Sequence, residues 1–167
     1  MAQDILTAPN PKLNEVSQRV QKVDKAAKKL AQDLKDTLAK QKDPEGVGLS
    51  APQIGVLKRV FILNPGLKSN FLVVINPEVV KVSKKTNLTV LKGKEPDLEG
   101  CLSVPGVYAL VERPWEITVT FHNENFEVMT QKLTGFLAVA FQHELDHLEG
   151  TLFTQRALEQ GREIIVD

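Results

Sequence analysis

The segment Q-H-E-L-D-H-L-E-G, residues 142–150, carries His143, Glu144 and His147 in the spacing H-E-x-x-H. On a helix, positions i and i+4 share one face a turn apart, so two imidazoles can grip one metal ion with a carboxylate beside it. A Lewis acid next to a general base is the equipment of a metal-assisted hydrolase. Two ligands do not complete such a centre: a catalytic zinc or iron site takes three protein ligands and keeps one position open.

Downstream, the chain supplies no obvious third ligand. The H-x-x-G-x-x-H continuation of one protease pattern is broken, because Gly150 is present but Phe153, with no lone pair, stands where the histidine would be. A glutamate on a later helix would have to come from the short tail, which offers only Glu159 and Glu163. His122 sits beside Asn123 in what reads as a strand-end turn, a poor position for a ligand. Upstream, E-G-C-L-S-V-P-G at residues 99–106 holds the only cysteine, Cys101. A lone cysteine is by default an inert buried thiol. A thiolate is nonetheless a good ligand for zinc or ferrous iron, and Cys101 coincides with an H-E-x-x-H that lacks a downstream partner. Cys101, His143 and His147 are therefore the expected ligand set.

These residues need elements to hold them. At 167 residues, 42% hydrophobic and 25% charged, the chain has the size of one domain, expected over 1–167. Lys plus Arg equal Asp plus Glu at 21 each, which gives no basic excess for nucleic acid. No secretory or transit signal opens the sequence, no stretch reaches the length of a membrane span, and a single cysteine builds no internal disulfide framework, so a cytoplasmic protein is expected.

Asp24 can cap an amphipathic helix carrying Ala27, Leu30, Leu34 and Leu38, which runs out by residues 42–44. Residues 46–55, G-V-G-L-S-A-P-Q-I-G, have three glycines and a proline and imply a special backbone path. Short strands are expected at 59–63, 71–75, 78–82, 88–91, 108–111, 116–121 and 128–133. Thr134 or Gly135 then opens the helix bearing the metal motif, with Gly150 just past its end. Its apolar first half should be buried among the strands. The predicted class is α+β: short antiparallel strands around a central H-E-x-x-H helix, with an N-terminal amphipathic helix. The tail reads as a short helix or a final strand.

Three segments now stand in order: G-V-G-L-S-A-P-Q at 46–53, E-G-C-L-S at 99–103 and Q-H-E-L-D-H at 142–147. Together they closely resemble the three signature motifs of peptide deformylases, and the likeness runs over nearly the whole chain. Two departures stand out: Ser50 where many members have Ala, and T-Q-R-A-L after Phe153 where D-R is more usual. The resemblance implies a metal-dependent hydrolase that removes the N-formyl group from the formyl-methionine of nascent polypeptides and releases formate. It implies one divalent ion, Fe²⁺ first, with Zn²⁺, Ni²⁺ or Co²⁺ also suited to the ligands. Glu144 would be the acid/base, and the Gln53 side-chain amide with the Leu102 backbone N–H would stabilise the oxyanion. Nascent formyl-methionyl peptides would be the partners, with association with the ribosome a further expectation and neither a specific nucleic acid nor a membrane involved.

Helical spacing adds a pocket. Phe136, Val139 and Ala140 fall seven, four and three residues before His143, on the face that carries the metal, though all three are also ordinary core positions. With Val47 opposite they would form an unbranched slot for methionine. Gly46 and Gly48 would let a peptide backbone lie close. Two rivals remain: a zinc peptidase cleaving internal bonds, and a non-catalytic metal-binding descendant of the same fold.

Overall fold

The structure, a computed structural model, describes residues 1–42, 46–66 and 70–167. Helix α1, Lys25–Lys40, begins where the Asp24 carboxylate accepts a hydrogen bond from the Ala27 N–H at 3.0 Å. That cap satisfies one of the unpaired N–H groups of the first turn. Ala27, Leu30, Ala31, Leu34 and Leu38 are buried along one face. Residues 46–55 resolve into strand β1, Gly48–Ser50, and a 3-10 turn, Ala51–Ile54, closed by Gly55 at a φ of 81°.

Strand β2, Val60–Leu63, is buried on both faces, because the sheet has a helix on each side. Side chains alternate along a strand. Val60 and Ile62 accordingly pack with α1, Leu49 and Ile75, whereas Phe61 and Leu63 pack with Phe121 and Phe141. Phe61 meets Phe141 edge to face at 5.0 Å. Burying each such ring contributes on the order of 1.5–3 kcal/mol.

The larger sheet has the order β1-β2-β3-β6-β7, all antiparallel, with β3 at Leu72–Val82, β6 at Glu116–His122 and β7 at Val128–Thr134. Two of the strands expected from sequence, 71–75 and 78–82, are one. Asn76 takes a φ of 51° and bonds both backbone groups of Val20 through its side chain, at 2.8 Å each, and the register with β6 shifts between Ile75 and Glu78. The Asn-Pro pair is a bulge and not a break.

The strand expected at 88–91 is instead a helical turn, α2, Asn87–Val90. Thr86 caps it through the Thr89 N–H, and the Asn87 side chain ties it to the Val111 carbonyl and Arg113 N–H. These local polar bonds override the β-branched character of the segment. A smaller sheet, β4-β5-β8, comprises Glu99–Cys101, Val104–Ala109 and Ile164–Val166. The strand expected at 108–111 is thus β5, several residues earlier. Helix α3, Phe136–Leu148, starts at Gly135 and packs on β1, β2 and β7. The tail is both things that its sequence allowed: helix α4, Phe153–Glu159, then β8.

Candidate metal and catalytic site

Among the described residues, the ligand atoms of Cys101, His143 and His147 form one group, all within 4.8 Å of one another. Cys101 ends β4, and the two histidines lie one turn apart on α3. Cys101 Sγ is 3.3 Å from His147 Nε2. Bond lengths of about 2.3 Å to sulfur and 2.0–2.1 Å to nitrogen put two tetrahedral ligands roughly 3.6 Å apart, so the spacing fits a first-row divalent ion. No ligand atom comes from His122, which stacks on Phe126, or from Glu159, which pairs with Arg156.

His143 is aimed by its other nitrogen. Nδ1 lies 2.8 Å from Glu99 Oε2, leaving Nε2 for the ion. Glu99 in turn meets the Arg113 guanidinium through both oxygens, Arg113 Nη1 donates to Asp146 at 2.9 Å, and Arg156 from α4 donates to both Asp146 oxygens. Burial alone would raise the Glu99 carboxyl, but hydrogen bonds from His143 and Arg113 bring it down to about 2. It is a fixed anion that orients the His143 ring. Burial likewise lowers His143, yet the neighbouring Cys101 sulfur and Glu99 hold it well above the usual imidazole range. His147, with burial and the His143 charge acting together, lies well below that range.

Glu144 is buried, and burial pushes its carboxyl up to about 7, against the lowering effect of His143. Its Oε2 has no hydrogen-bond partner among the described residues. The space for this carboxylate is made by Gly48, where a Cβ would stand 2.6 Å from Glu144 Oε1. The sequence reading gave Gly48 to the substrate backbone and did not foresee this contact.

Gln53 reaches the site from the 3-10 turn. Its Nε2 donates to Ser103 Oγ at 3.1 Å and faces Cys101 Sγ at 3.5 Å. Leu102 and Ser103 form the two-residue link between β4 and β5, where Cys101 pairs with Val104.

A cavity of about 560 Å³ opens over these groups. Gly46, Val47, Gly48, Gln53, Cys101, Leu102, Phe136, Val139, Ala140, His143 and Glu144 all line it, so the residues singled out in the sequence converge, with His147 behind Cys101. Phe136 is 56% exposed and forms part of the mouth rather than the depth. Sequence reasoning missed Leu91, Leu98, Tyr108 and Trp115, which complete the cavity wall, and it missed the roles of Glu99, Arg113, Asp146 and Ser103 in holding His143 and Gln53. Glu99 carried a usable signal, lying two residues before Cys101 in a strand-like segment. Arg113 carried none.

No helix among the described residues is long and apolar enough to cross a membrane. The sequence profile of the polypeptide deformylase family matches residues 2–163. A peptide deformylase of Desulforudis audaxviator is 42% identical over 153 residues, covering 92% of each chain. Peptide deformylase 2 of Clostridium perfringens is 46% identical over 147 residues, covering 88% of this chain and 87% of the relative. The crystal structure of the Thermotoga maritima peptide deformylase superposes with a TM-score of 0.81 at 33% identity, over 93% of this chain and 97% of that one. With so much of each chain aligned in sequence and in space, the chain belongs to the polypeptide deformylase family.

Proposed function

We propose that this chain hydrolyses the formyl amide of N-terminal formyl-methionine on nascent polypeptides, releasing formate and a free amine. The observation that carries the reading is the convergence of a Cys-His-His donor set, a buried carboxylate whose Oε2 has no partner among the described residues, and a side-chain amide, with Gln53, Cys101, His143 and Glu144 all lining a single cavity. Cys101, His143 and His147 would hold one ion. When bound, it would supply the Lewis acidity that polarises the formyl oxygen and acidifies the attacking water.

Glu144 takes the proton from that water and delivers it to the nitrogen as the C–N bond breaks. Burial, which disfavours its charged form, makes this carboxylate a stronger proton acceptor than an exposed one, as a group that takes and then returns a proton requires. Gln53 Nε2 and the Leu102 backbone N–H donate to the oxygen as charge builds there, a contribution of roughly 10²–10³-fold per donor. Val139, Ala140 and Val47 would receive the methionine side chain, with Phe136 at the rim. Among the described residues, strand β1 is at the sheet edge and pairs with β2 alone, which leaves the other side of the Gly46–Gly48 segment to pair with a peptide main chain.

We assign 1–167 as one catalytic domain with the motif helix α3 at its centre and α1 as its amphipathic brace. Fe²⁺ is the proposed ion, working in the cytoplasm on chains emerging at the ribosome. The test is formate release from formyl-Met peptides by anaerobically iron-loaded protein, with zinc-loaded protein alongside. Cleavage of internal peptide bonds without formate would replace this reading with a peptidase. Metal binding with neither product would replace it with a non-catalytic metal protein.

A further inference from the structure

The Gln53 carboxamide has its four hydrogen-bonding positions occupied in a particular way. Its Oε1 accepts from the Ser50 backbone N–H at 2.9 Å and from Ser50 Oγ at 3.0 Å. Its Nε2 donates to Ser103 Oγ at 3.1 Å and points its second hydrogen toward Cys101 Sγ at 3.5 Å. A backbone N–H can only donate, so the end of the amide that meets Ser50 must be the oxygen. The nitrogen is thereby committed to the side that faces the metal ligands. Ser50, Gln53 and Ser103 are all fully or almost fully buried.

The two segments that carry the serines are also fixed to each other. The N-terminal stretch bonds to both: Leu6 N–H to the Gln53 carbonyl at 2.7 Å, and Ala8 N–H to the Ser103 carbonyl at 2.8 Å. With one hydrogen held by Ser103, the second N–H, which faces Cys101 Sγ, is the one directed at the reaction centre.

We infer that Ser50 and Ser103 are positioning residues that clamp the Gln53 amide from its two ends, fixing both its flip and the direction of the N–H that faces the Cys101 side of the site. Ser50 adds a second donor to Oε1, which polarises the amide and strengthens the opposite N–H as a donor. Ser103 takes the hydrogen that would otherwise let the amide rotate. Ser50 stands where the sequence motif more often has Ala, so this half of the clamp is a feature of chains with Ser there. The inference rests on Gln53 acting as the oxyanion donor.

The same Ser50 contacts also form the N-terminal cap of the 3-10 turn. A cap alone would lower the melting temperature of Ser50→Ala and leave turnover intact. The clamp predicts something different in the zinc- and iron-loaded enzyme acting on formyl-Met peptides. Ser50→Ala and Ser103→Ala should each lower kcat roughly three- to ten-fold with KM unchanged, a fraction of the 10²–10³-fold that loss of an oxyanion donor costs. Ser50→Cys, similar in size but a weaker donor, should fall between Ser50→Ala and the parent.

In a Gln53→Ala background neither serine substitution should change kcat further. Metal content, read in parallel, should stay at the parent value. Independently of activity, the Gln53 side-chain amide protons of the ¹⁵N-labelled zinc form should exchange with solvent faster in both variants. Parent kcat in Ser50→Ala and Ser103→Ala, or the same kcat loss with Gln53 already absent, would overturn the clamp. Absence of formate release from the parent enzyme would instead overturn the deformylase reading.

Discussion

Replacing Gly48 by Ala tests whether that glycine serves the acid/base group. A Cβ at 48 would stand 2.6 Å from Glu144 Oε1, 2.9 Å from Glu144 Cδ and 2.9 Å from Leu63 Cδ2. Ordinary contact begins near 3.5 Å, so the carboxylate must retreat by about 0.9 Å. The strand gives little relief, because Gly48 pairs with Leu63 and β2 is buried on both faces. The side chain yields, and a shift of about 1 Å in a reacting group costs on the order of 10²-fold.

The expected result is therefore a kcat for formyl-Met peptide about 100-fold below the parent, with one metal per chain retained. Overpacking should lower stability by roughly 1–3 kcal/mol, so the assay belongs well below the melting temperature. Gly46→Ala is the comparison, since a Cβ there crowds the Leu38 and Leu102 methyl ends at 2.6 and 2.9 Å, with the Gly48 carbonyl oxygen at an ordinary 3.8 Å, and does not meet Glu144. A kcat for Gly48→Ala within a few-fold of the parent would refute the reasoning.

Cys101→Ser exchanges a soft ligand for a poor one, and metal content measured after dialysis should fall well below one per chain; full stoichiometry in Cys101→Ala would remove Cys101 from the ligand set. Glu144→Gln should keep the metal and lose roughly 10²–10⁴-fold in kcat, the usual contribution of a general acid/base group, and near-parent turnover would mean that another base acts. Arg113→Leu leaves Glu99 and Asp146 buried without their shared cation, so denaturant unfolding should report a loss of about 3–5 kcal/mol and metal titration a 10–100-fold weaker affinity. Ala140→Leu should lower kcat/KM for formyl-Met more than for formyl-Ala peptides if Ala140 lines the methionine slot. An equal loss on both, with a lowered melting temperature, would make it a plain core position.

The parts of the site that were legible in the sequence are those whose chemistry is local. His143, Glu144 and His147 are set by helical spacing, and the α1 stripe with its Asp24 cap by the same periodicity. The strand boundaries were less legible, because side-chain bonds to distant backbone decide them. Asn76 continues a strand by bonding Val20, and Thr86 with Asn87 turns a β-branched run into a helical turn. The packing around the site was hidden for a similar reason. Gly48 reads as backbone freedom, but its use depends on which side chain arrives from α3, ninety-six positions later in the case of Glu144.

Arg113 is the extreme case, and it shows what the hidden part of the site is for. Arg156, Asp146, Arg113 and Glu99 alternate in sign from α4 through α3 to β4 and end on the His143 ring. A buried ion pair seldom stabilises a fold more than well-packed apolar residues would, so stability alone gives little reason for four charges here. What apolar residues cannot do is fix the rotation of an imidazole by a hydrogen bond to its second nitrogen. The row of charges does this with an anion held at about 2, which stays ionised throughout the range in which the enzyme would work. It also ties α4, whose sequence departs from the usual family tail, to the helix that carries both histidines. The tail is thereby part of the support of the candidate metal site, because Arg156 bonds both Asp146 oxygens while Gln155 accepts from the Leu152 N–H at the start of α4.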